Sequence, residues 1–155
     1  MIINRLSTRA FMLIGEYRHS IDAKKRVALP AKWRKEIGKK VVITRGLDNC
    51  LSVYPIKQWE IFSGKLANLS VGQADSRGFN RFTLAGAVET DVDSTGRILI
   101  PDFLKDFVGL RNRVVIAGIG NRLEIWDEKR WQEYTAKIEK QADILAEKLG
   151  EIGMI

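Results

Sequence analysis

The stretch DAKKRVALP, residues 22–30, recurs 71 residues later as DSTGRILIP, residues 93–101. The aspartate, the arginine and the proline of the pattern D-x-x-x-R-x-x-x-P keep their spacing, and Gly38 recurs as Gly109 at the same offset. Further on, VVI at 41–43 matches VVI at 114–116, and a tryptophan follows each copy. A match of this length and order indicates an internal duplication.

Each copy begins with a tight turn between short apolar runs. In DSTG, residues 93–96, the aspartate side chain favours a bond to the backbone two residues on, and glycine accepts positive φ. The β-branched runs 88–92 and 98–100 on either side predict a hairpin. Each proline then opens a short helix, over 31–37 or 102–107, that ends at a glycine. Two further strands are predicted in each copy: 41–44 and 51–54, then 114–117 and 123–126.

Two longer helices are predicted after the copies. Over 56–69 an apolar stripe recurs at helical spacing, and over 128–149 a second stripe follows Asp127, a residue suited to an N-cap. The stripes are Trp59, Phe62, Leu66 and Leu69 in the first helix, and Trp131, Tyr134, Ile138, Ala142, Leu145 and Leu149 in the second. They predict contacts with the core or with another subunit. Residues 70–81, rich in Gly, Ser, Gln and Asp, predict a flexible joint.

A unit of about 45 residues is marginal as an independent domain because it buries little surface. Two copies solve this problem by pairing about a pseudo-two-fold axis, with the matched turns on one side of a barrel. The sequence therefore predicts an α+β fold that is mainly β.

The charge distribution favours a polyanionic partner. Residues 1–46 carry twelve Lys and Arg against three acids, a net charge of +9, whereas the remainder of the chain carries −2. Such a concentration is typical of nucleic-acid binding. A lysine-rich face that merely aids solubility is the alternative.

Few residues suit catalysis. Cys50 is the only cysteine and His19 the only histidine, which excludes an intramolecular disulfide and a multi-histidine zinc site. No paired carboxylates or Ser-Lys arrangement stand out. We therefore predict a protein that is not an enzyme and has no metal, cofactor or small-molecule substrate.

The first eleven residues predict an N-terminal extension, with Met12 as an alternative start. Their apolar stretch is too short for a signal peptide, and no run in the chain approaches the ~20 apolar residues of a membrane span. The sequence predicts a cytosolic protein with no membrane partner.

The duplicated D-x-x-x-R-x-x-x-P turns, the tryptophan after each unit and the start MLIGEY at 12–17 resemble the MraZ proteins, of the SpoVT/AbrB-like swapped-hairpin superfamily. The resemblance covers Met12 to about Leu149. It implies two SpoVT/AbrB-like repeats that form a pseudo-two-fold swapped-hairpin barrel with flanking helices. The division expected is an extension at 1–11, repeat 1 at 15–58, a helix and linker at 59–86, repeat 2 at 87–130, and a C-terminal helix at 131–155.

The resemblance also implies a function. Members are sequence-specific DNA-binding regulators of the division and cell-wall gene cluster, including their own promoter. The expectation here is a repressor that binds repeated sites in double-stranded DNA as a ring-like homo-oligomer, in the cytoplasm and associated with the nucleoid. The alternative is an antitoxin-like or other protein-interaction module with the same fold.

The resemblance places Arg26 and Arg97 in the DNA groove, because the turn arginine of the family has that role. Basic residues suited to phosphates are expected to help; these are Arg18, Lys24, Lys25, Lys32, Arg34 and Lys35. Asp22, Asp93 and Gly96 are expected to shape the turns. The alternative for each arginine is a structural ion pair with the aspartate of its own turn, and the two roles are compatible.

The first turn departs from the family pattern. Lys25 stands where the family usually has glycine, and in the second turn Thr95 stands where it often has lysine. Lys25 must either adopt a positive φ at some strain or change the type of turn.

Overall fold

Thirteen helices and strands follow one another along residues 11–155, the part of the chain that the computed structural model describes. The predicted extension 1–11 lies, except for Phe11, outside the described residues. The first copy contains β1 (Leu13–Ser20), β2 (Arg26–Ala28), α1 (Ala31–Ile37), β3 (Lys40–Arg45) and β4 (Leu51–Pro55), followed by α2 (Ile56–Ala67) and α3 (Ala74–Leu84). The second contains β5 (Val88–Asp91), β6 (Arg97–Leu99), α4 (Asp102–Val108), β7 (Arg113–Gly120) and β8 (Leu123–Asp127), followed by α5 (Glu128–Glu151).

The strands of the two copies interleave in one antiparallel sheet. Its order is β1-β7-β8-β4-β3-β5, and β2 pairs with β6 in a separate two-stranded ribbon. Strand β1 of the first copy pairs along its whole length with β7 of the second, from Leu13 opposite Gly120 to Ser20 opposite Arg113. Strand β5 of the second copy pairs with β3 of the first. The predicted α+β, mainly β fold with two repeats is confirmed.

The prediction that the two strands around each turn pair with each other as a hairpin is wrong. The strands before and after the second turn, β5 and β6, bond to β3 and β2 and not to each other. Only one backbone bond, from Asp93 N–H to the Arg97 carbonyl at 2.9 Å, continues the ladder beyond the turn. An isolated two-stranded hairpin is marginal in water, whereas exchanging strands places residues of both copies in one core.

The core lies between the ribbon, the two short helices and the inner face of the large sheet. Val27 and Leu29 of the first copy and Ile98 and Ile100 of the second are all fully buried in one cluster. That cluster continues into both halves of the sheet; further members are Val41, Ile43, Val114 and Ile116. Burying residues from both copies together explains how two marginal units form one stable domain.

Both short helices and both long helices lie where the sequence predicts them. The joint predicted at 70–81 is wrong in part, because α3 begins at Ala74 inside it. Two contacts hold α3 on the sheet: Thr44 Oγ1 donates to the Thr83 carbonyl at 2.6 Å, and Arg45 donates to the Phe82 carbonyl at 3.2 Å. Gly78 and the surrounding polar residues conceal this helix in the sequence.

Helix α5 packs on the sheet only through its beginning, where Trp131 and Tyr134 lie against Trp126. Farther along, Leu145 and Leu149 of its apolar stripe are exposed. Within residues 11–155, the stripe is therefore a core contact in its first half and exposed in its second half. No helix within residues 11–155 combines the length and the apolar character needed to cross a membrane.

Candidate nucleic-acid interface

The two turn arginines begin the two strands of the ribbon. In the antiparallel register Arg26 lies opposite Leu99, Val27 opposite Ile98, and Ala28 opposite Arg97. Successive strand residues point to opposite faces, and Val27 and Ile98 are fully buried. The remaining four side chains therefore share the outer face of the ribbon.

The outer face brings the two arginines close together. Arg97 lies opposite Ala28, which is two residues along the strand from Arg26. The two arginines are therefore diagonal neighbours, and their Cα atoms are separated by roughly 8 Å. Because both strands start at a turn, the turns flank the two ends of the ribbon. The sequence predicts that the matched turns lie on one side of a barrel, and the ribbon places them at the two ends of one pair of strands.

In the first turn the carboxylate of Asp22 organises the arginine that follows it. Its Oδ1 accepts hydrogen bonds from the backbone N–H groups of Lys24 and Arg26, both at 2.9 Å. Its Oδ2 accepts from Arg26 Nε, also at 2.9 Å. The same aspartate thus fixes the turn and the direction of the guanidinium group.

The second turn repeats this geometry with Asp93. Its Oδ1 accepts from the backbone N–H groups of Thr95 at 3.0 Å and Arg97 at 2.8 Å, and its Oδ2 accepts from Arg97 Nε at 2.8 Å. Each arginine is therefore paired with its own turn aspartate, as the structural alternative proposed. Neither Nη1 nor Nη2 of these arginines donates a hydrogen bond to any residue within the described range 11–155, and the side chains of Arg26 and Arg97 are 28% and 36% exposed.

Lys25 adopts the conformation that its family counterpart, glycine, adopts easily. Its φ is +62°, while Gly96 at the equivalent position of the second turn has φ of +83°. Both turns also close with the same backbone bond, from Lys25 to the Asp22 carbonyl at 3.0 Å and from Gly96 to the Asp93 carbonyl at 2.9 Å. Of the two alternatives for Lys25, positive φ is the one observed, and the turn type is conserved.

The two turns differ in their surroundings. Lys25 Nζ forms an ion pair with Asp102 at the beginning of α4, which belongs to the other copy. At the second turn, Gly96 lies against the side chain of Arg34 on α1, and a Cβ atom at Gly96 would overlap the Arg34 guanidinium. Each turn is thus supported by the short helix of the opposite copy.

Replacing Gly96 with alanine is expected to lower the free energy of unfolding by roughly 1–2 kcal/mol, the cost of a Cβ atom in the left-handed region. Displacement of Arg34 adds to this loss. Urea unfolding of the two proteins measures the difference.

The matched control is Lys25→Ala, since the first turn already carries a Cβ atom at positive φ. That change removes only an exposed ion pair, so a loss below about 1 kcal/mol is expected. Equal losses for the two variants would contradict this account of the turns.

The hydrogen bonds to both turn aspartates hold their pKa values below the usual range. For Asp22 and for Asp93, the largest lowering cause is the backbone N–H of the turn arginine, and burial opposes it. A lowered pKa in the folded state stabilises the fold above the unfolded-state pKa, which is about 3.9, and this contribution is lost as the pH falls through the folded-state value.

We therefore expect the free energy of unfolding to decline as the pH is lowered from about 5 to about 2. Asp93→Asn removes one titrating carboxylate, so its stability should decline less steeply over that interval. Urea unfolding at several pH values measures both slopes. Identical slopes for the wild type and the variant would show that Asp93 does not contribute in this way.

The other predicted basic residues lie in different environments. Lys24 and Lys35 are exposed and form no ion pair within the described residues 11–155. Lys32 Nζ lies 5.1 Å from the centre of the Tyr17 ring, and Arg34 donates from Nε to the Leu29 carbonyl at 3.1 Å. Arg18 lies on β1, where it forms an ion pair with Glu16 at 3.3 Å. The structure thus brings Lys24 and Lys25 to the first turn and Arg34 to the second, while Arg18 is held by an acid on its own strand.

Sequence reasoning missed one member of the outer face. Leu99 is 51% exposed, although its neighbours Ile98 and Ile100 are fully buried. The alternation of a strand starting at Arg97 would have placed Leu99 on the same face as that arginine. Its position opposite Arg26 depends on pairing between the copies, which the sequence does not reveal.

The fold and the site define a class of β proteins in which two copies of one unit exchange strands. In this class a short ribbon carries two arginines, each hydrogen-bonded to an aspartate of its own turn. The chain belongs to the MraZ family. The family model, described as "MraZ protein, putative antitoxin-like", matches it twice, over residues 12–82 and 83–149. Both the predicted family and the predicted duplication are confirmed.

Similar proteins named "Transcriptional regulator MraZ" are found in several bacteria. The protein of Natranaerobius thermophilus is 44% identical over 138 residues, covering 89% of this chain and 96% of the relative. The protein of Caldicellulosiruptor saccharolyticus is 46% identical over 143 residues, covering 92% of this chain and all of the relative. These relatives are named as regulators and not as enzymes, so the predicted non-enzymatic, regulatory class is confirmed.

Proposed function

We propose that this protein binds double-stranded DNA in a sequence-specific manner and represses transcription of the division and cell-wall gene cluster, including its own promoter. It acts in the cytoplasm, associated with the nucleoid. The observation that carries the proposal is the pair of arginines on one ribbon face, each oriented through Nε and with Nη groups that donate no hydrogen bond among the described residues 11–155.

The geometry of the ribbon supports insertion into the major groove. That groove is about 12 Å wide and admits a two-stranded β-ribbon. An arginine that donates two hydrogen bonds to guanine O6 and N7 contributes about 1–3 kcal/mol of discrimination against other bases. Because Asp22 and Asp93 already fix the guanidinium groups, less side-chain entropy is lost on binding. The structural ion pair and the DNA contact are therefore two parts of one role.

The other predicted basic residues support affinity without sequence preference. Lys24 and Lys35 are exposed and unpaired within residues 11–155, so we assign them to phosphate groups together with Lys25, Lys32 and Arg34. Arg18 is assigned there as well, after release from Glu16 and Glu128. Phosphate contacts position a protein on the duplex but carry no direct sequence information. They also release counterions, so binding should weaken steeply as salt is added.

A gel-shift titration with the DNA immediately upstream of the gene for this chain tests the proposal. The expected result is a complex that forms at lower protein concentration than with a shuffled duplex of the same composition. Repeating both titrations at a second salt concentration should show a steep loss of affinity. Equal affinity for the two duplexes, or no dependence on salt, would refute sequence-specific DNA binding.

The proposal includes self-association in a ring-like homo-oligomer. A single chain provides two DNA-contacting turns, whereas repeated sites require several copies in a fixed arrangement. The exposed second half of the α5 stripe, including Leu145 and Leu149, offers an unpartnered apolar surface. Analytical ultracentrifugation of the full chain tests this part: a mass several times that of one chain is expected, and a monomer at all concentrations would contradict it.

The same exposed stripe favours the second candidate, an antitoxin-like module that binds another protein. Under that function α5 contacts a different protein and the ribbon has no DNA partner. Purification from the natural host separates the two functions. A stoichiometric second protein, together with equal affinity for upstream and shuffled DNA, would favour the interaction module.

A further inference from the structure

We propose that Leu99 is a specificity-determining residue that contacts the C5-methyl group of a thymine beside the guanine bound by Arg26. The inference rests on the proposed function, and it adds a base and a residue that the arginines alone do not provide. Its consequence is that the two ends of the ribbon recognise different sequences.

The register places Leu99 directly beside one arginine. Leu99 lies opposite Arg26 in the antiparallel pair, and Ala28 lies opposite Arg97. Cβ atoms of directly opposed residues are about 4.5–5.5 Å apart, a distance between one and two base steps of about 3.4 Å each. A ribbon that places Arg26 on a guanine therefore places Leu99 at a neighbouring base pair.

The exposure of Leu99 supports a contact with DNA because Leu99 lies on the ribbon face that carries both arginines. Single exposed apolar residues are common on protein surfaces and require no explanation in themselves. Leu99, however, is 51% exposed on the face that carries both arginines, and insertion into the groove would cover that face. Leucine there gains hydrophobic stabilisation only when a partner covers it.

The chemistry of the major groove identifies the apolar partner. Each base edge in that groove presents donors or acceptors, and the one methyl group is the C5-methyl of thymine. Leucine donates and accepts no hydrogen bonds with its side chain, so it distinguishes base pairs only through this methyl group. Thymine is thus the base that matches Leu99.

Comparison of the two copies predicts different base preferences at the two ends of the ribbon. Arg26 and Arg97 occupy equivalent positions in the two copies, and so do Ala28 and Leu99. The arginines are the same at both ends, whereas leucine reaches farther than alanine. The end with Arg26 and Leu99 should prefer a guanine next to a thymine, while the end with Arg97 and Ala28 should prefer guanine with a weaker preference at its neighbour.

The test starts with selection of bound sequences from a pool of random DNA duplexes, using the wild type, Leu99→Ala and the exchange variant Ala28→Leu/Leu99→Ala. In the duplex that the wild type selects, each thymine is then replaced with deoxyuridine, which removes only the methyl group. At one thymine beside a bound guanine, the wild type should lose about fourfold in affinity, the value of one buried methyl-sized group. Leu99→Ala should show no loss at that position, and the exchange variant should show it at the opposite end of the site.

Each other outcome has a defined meaning. If the wild type selects a sequence but tolerates deoxyuridine everywhere, or if Leu99→Ala keeps the same sensitivity, the assignment of Leu99 is wrong. If the wild type selects no sequence at all, the proposed function fails and this inference fails with it. Urea unfolding of the two variants confirms that each remains folded, and regained sensitivity in the exchange variant separates recognition from a general structural defect.

Discussion

Replacing Arg26 with alanine is expected to reduce the affinity for the selected DNA site by about tenfold or more, while binding to random DNA declines much less. The reason is that one bidentate contact to guanine provides about 1–3 kcal/mol of discrimination. In the proposed function the Nη groups of Arg26, which donate no hydrogen bond within residues 11–155, supply that contact, and Asp22 orients the guanidinium group through Nε. Competition gel shifts with the selected and random duplexes measure both affinities.

Two matched variants distinguish the contribution of the paired N–H donors of the guanidinium group from the contribution of its positive charge. Arg26→Lys keeps the positive charge but lacks the planar pair of donors, so it should lose discrimination nearly as Arg26→Ala does. Lys35→Ala removes an exposed charge on α1 and should lower the affinity for both duplexes by a similar factor. An unchanged ratio of the two affinities in Arg26→Ala would refute the role assigned to this arginine.

Replacing Ile98 with alanine is expected to lower the free energy of unfolding by about 2–5 kcal/mol, the usual cost of such a truncation in a core. Ile98 is fully buried, and it lies opposite Val27 in the ribbon, where the two copies join. Urea or thermal unfolding measures the loss. Because the ribbon carries both arginines, DNA binding should weaken together with stability.

The neighbouring residue provides the control for this prediction. Leu99→Ala removes as many carbon atoms as Ile98→Ala does, but Leu99 is 51% exposed, so a change within about 0.5 kcal/mol is expected. Equal destabilisation by the two substitutions would mean that the ribbon does not pack on the core through Ile98.

The local elements could be predicted from the sequence because their signals are local. The D-x-x-x-R spacing places an aspartate within reach of the arginine four residues on, and both turns form that contact. Pro30 and Pro101 are the N-cap residues of the short helices, and Gly109 ends α4 with φ of +64°. Family membership follows from the same duplicated pattern and is confirmed over both copies.

The pairing of strands could not be predicted in the same way. A β-branched run such as 88–92 has the same pattern whether it bonds to the next strand or to β3 of the other copy. The neighbours of each turn depend on that exchange, including Asp102 beside Lys25 and Arg34 beside Gly96. The composition of residues 70–81 led to a wrong prediction, because α3 is held by contacts to β3 that its polar sequence with a central Gly78 does not indicate.

The measurement that tests the central claim most directly is affinity for duplexes in which single guanines of the selected site are replaced with 7-deazaguanine. That base keeps its pairing but lacks the N7 acceptor that an arginine contacts. The proposed function predicts that the wild type loses affinity at two guanines in each repeat that one chain binds, that Arg26→Ala is insensitive at one of them, and that Arg97→Ala is insensitive at the other. If both variants retain the full sensitivity of the wild type at both guanines, the arginines of the ribbon do not bind these bases.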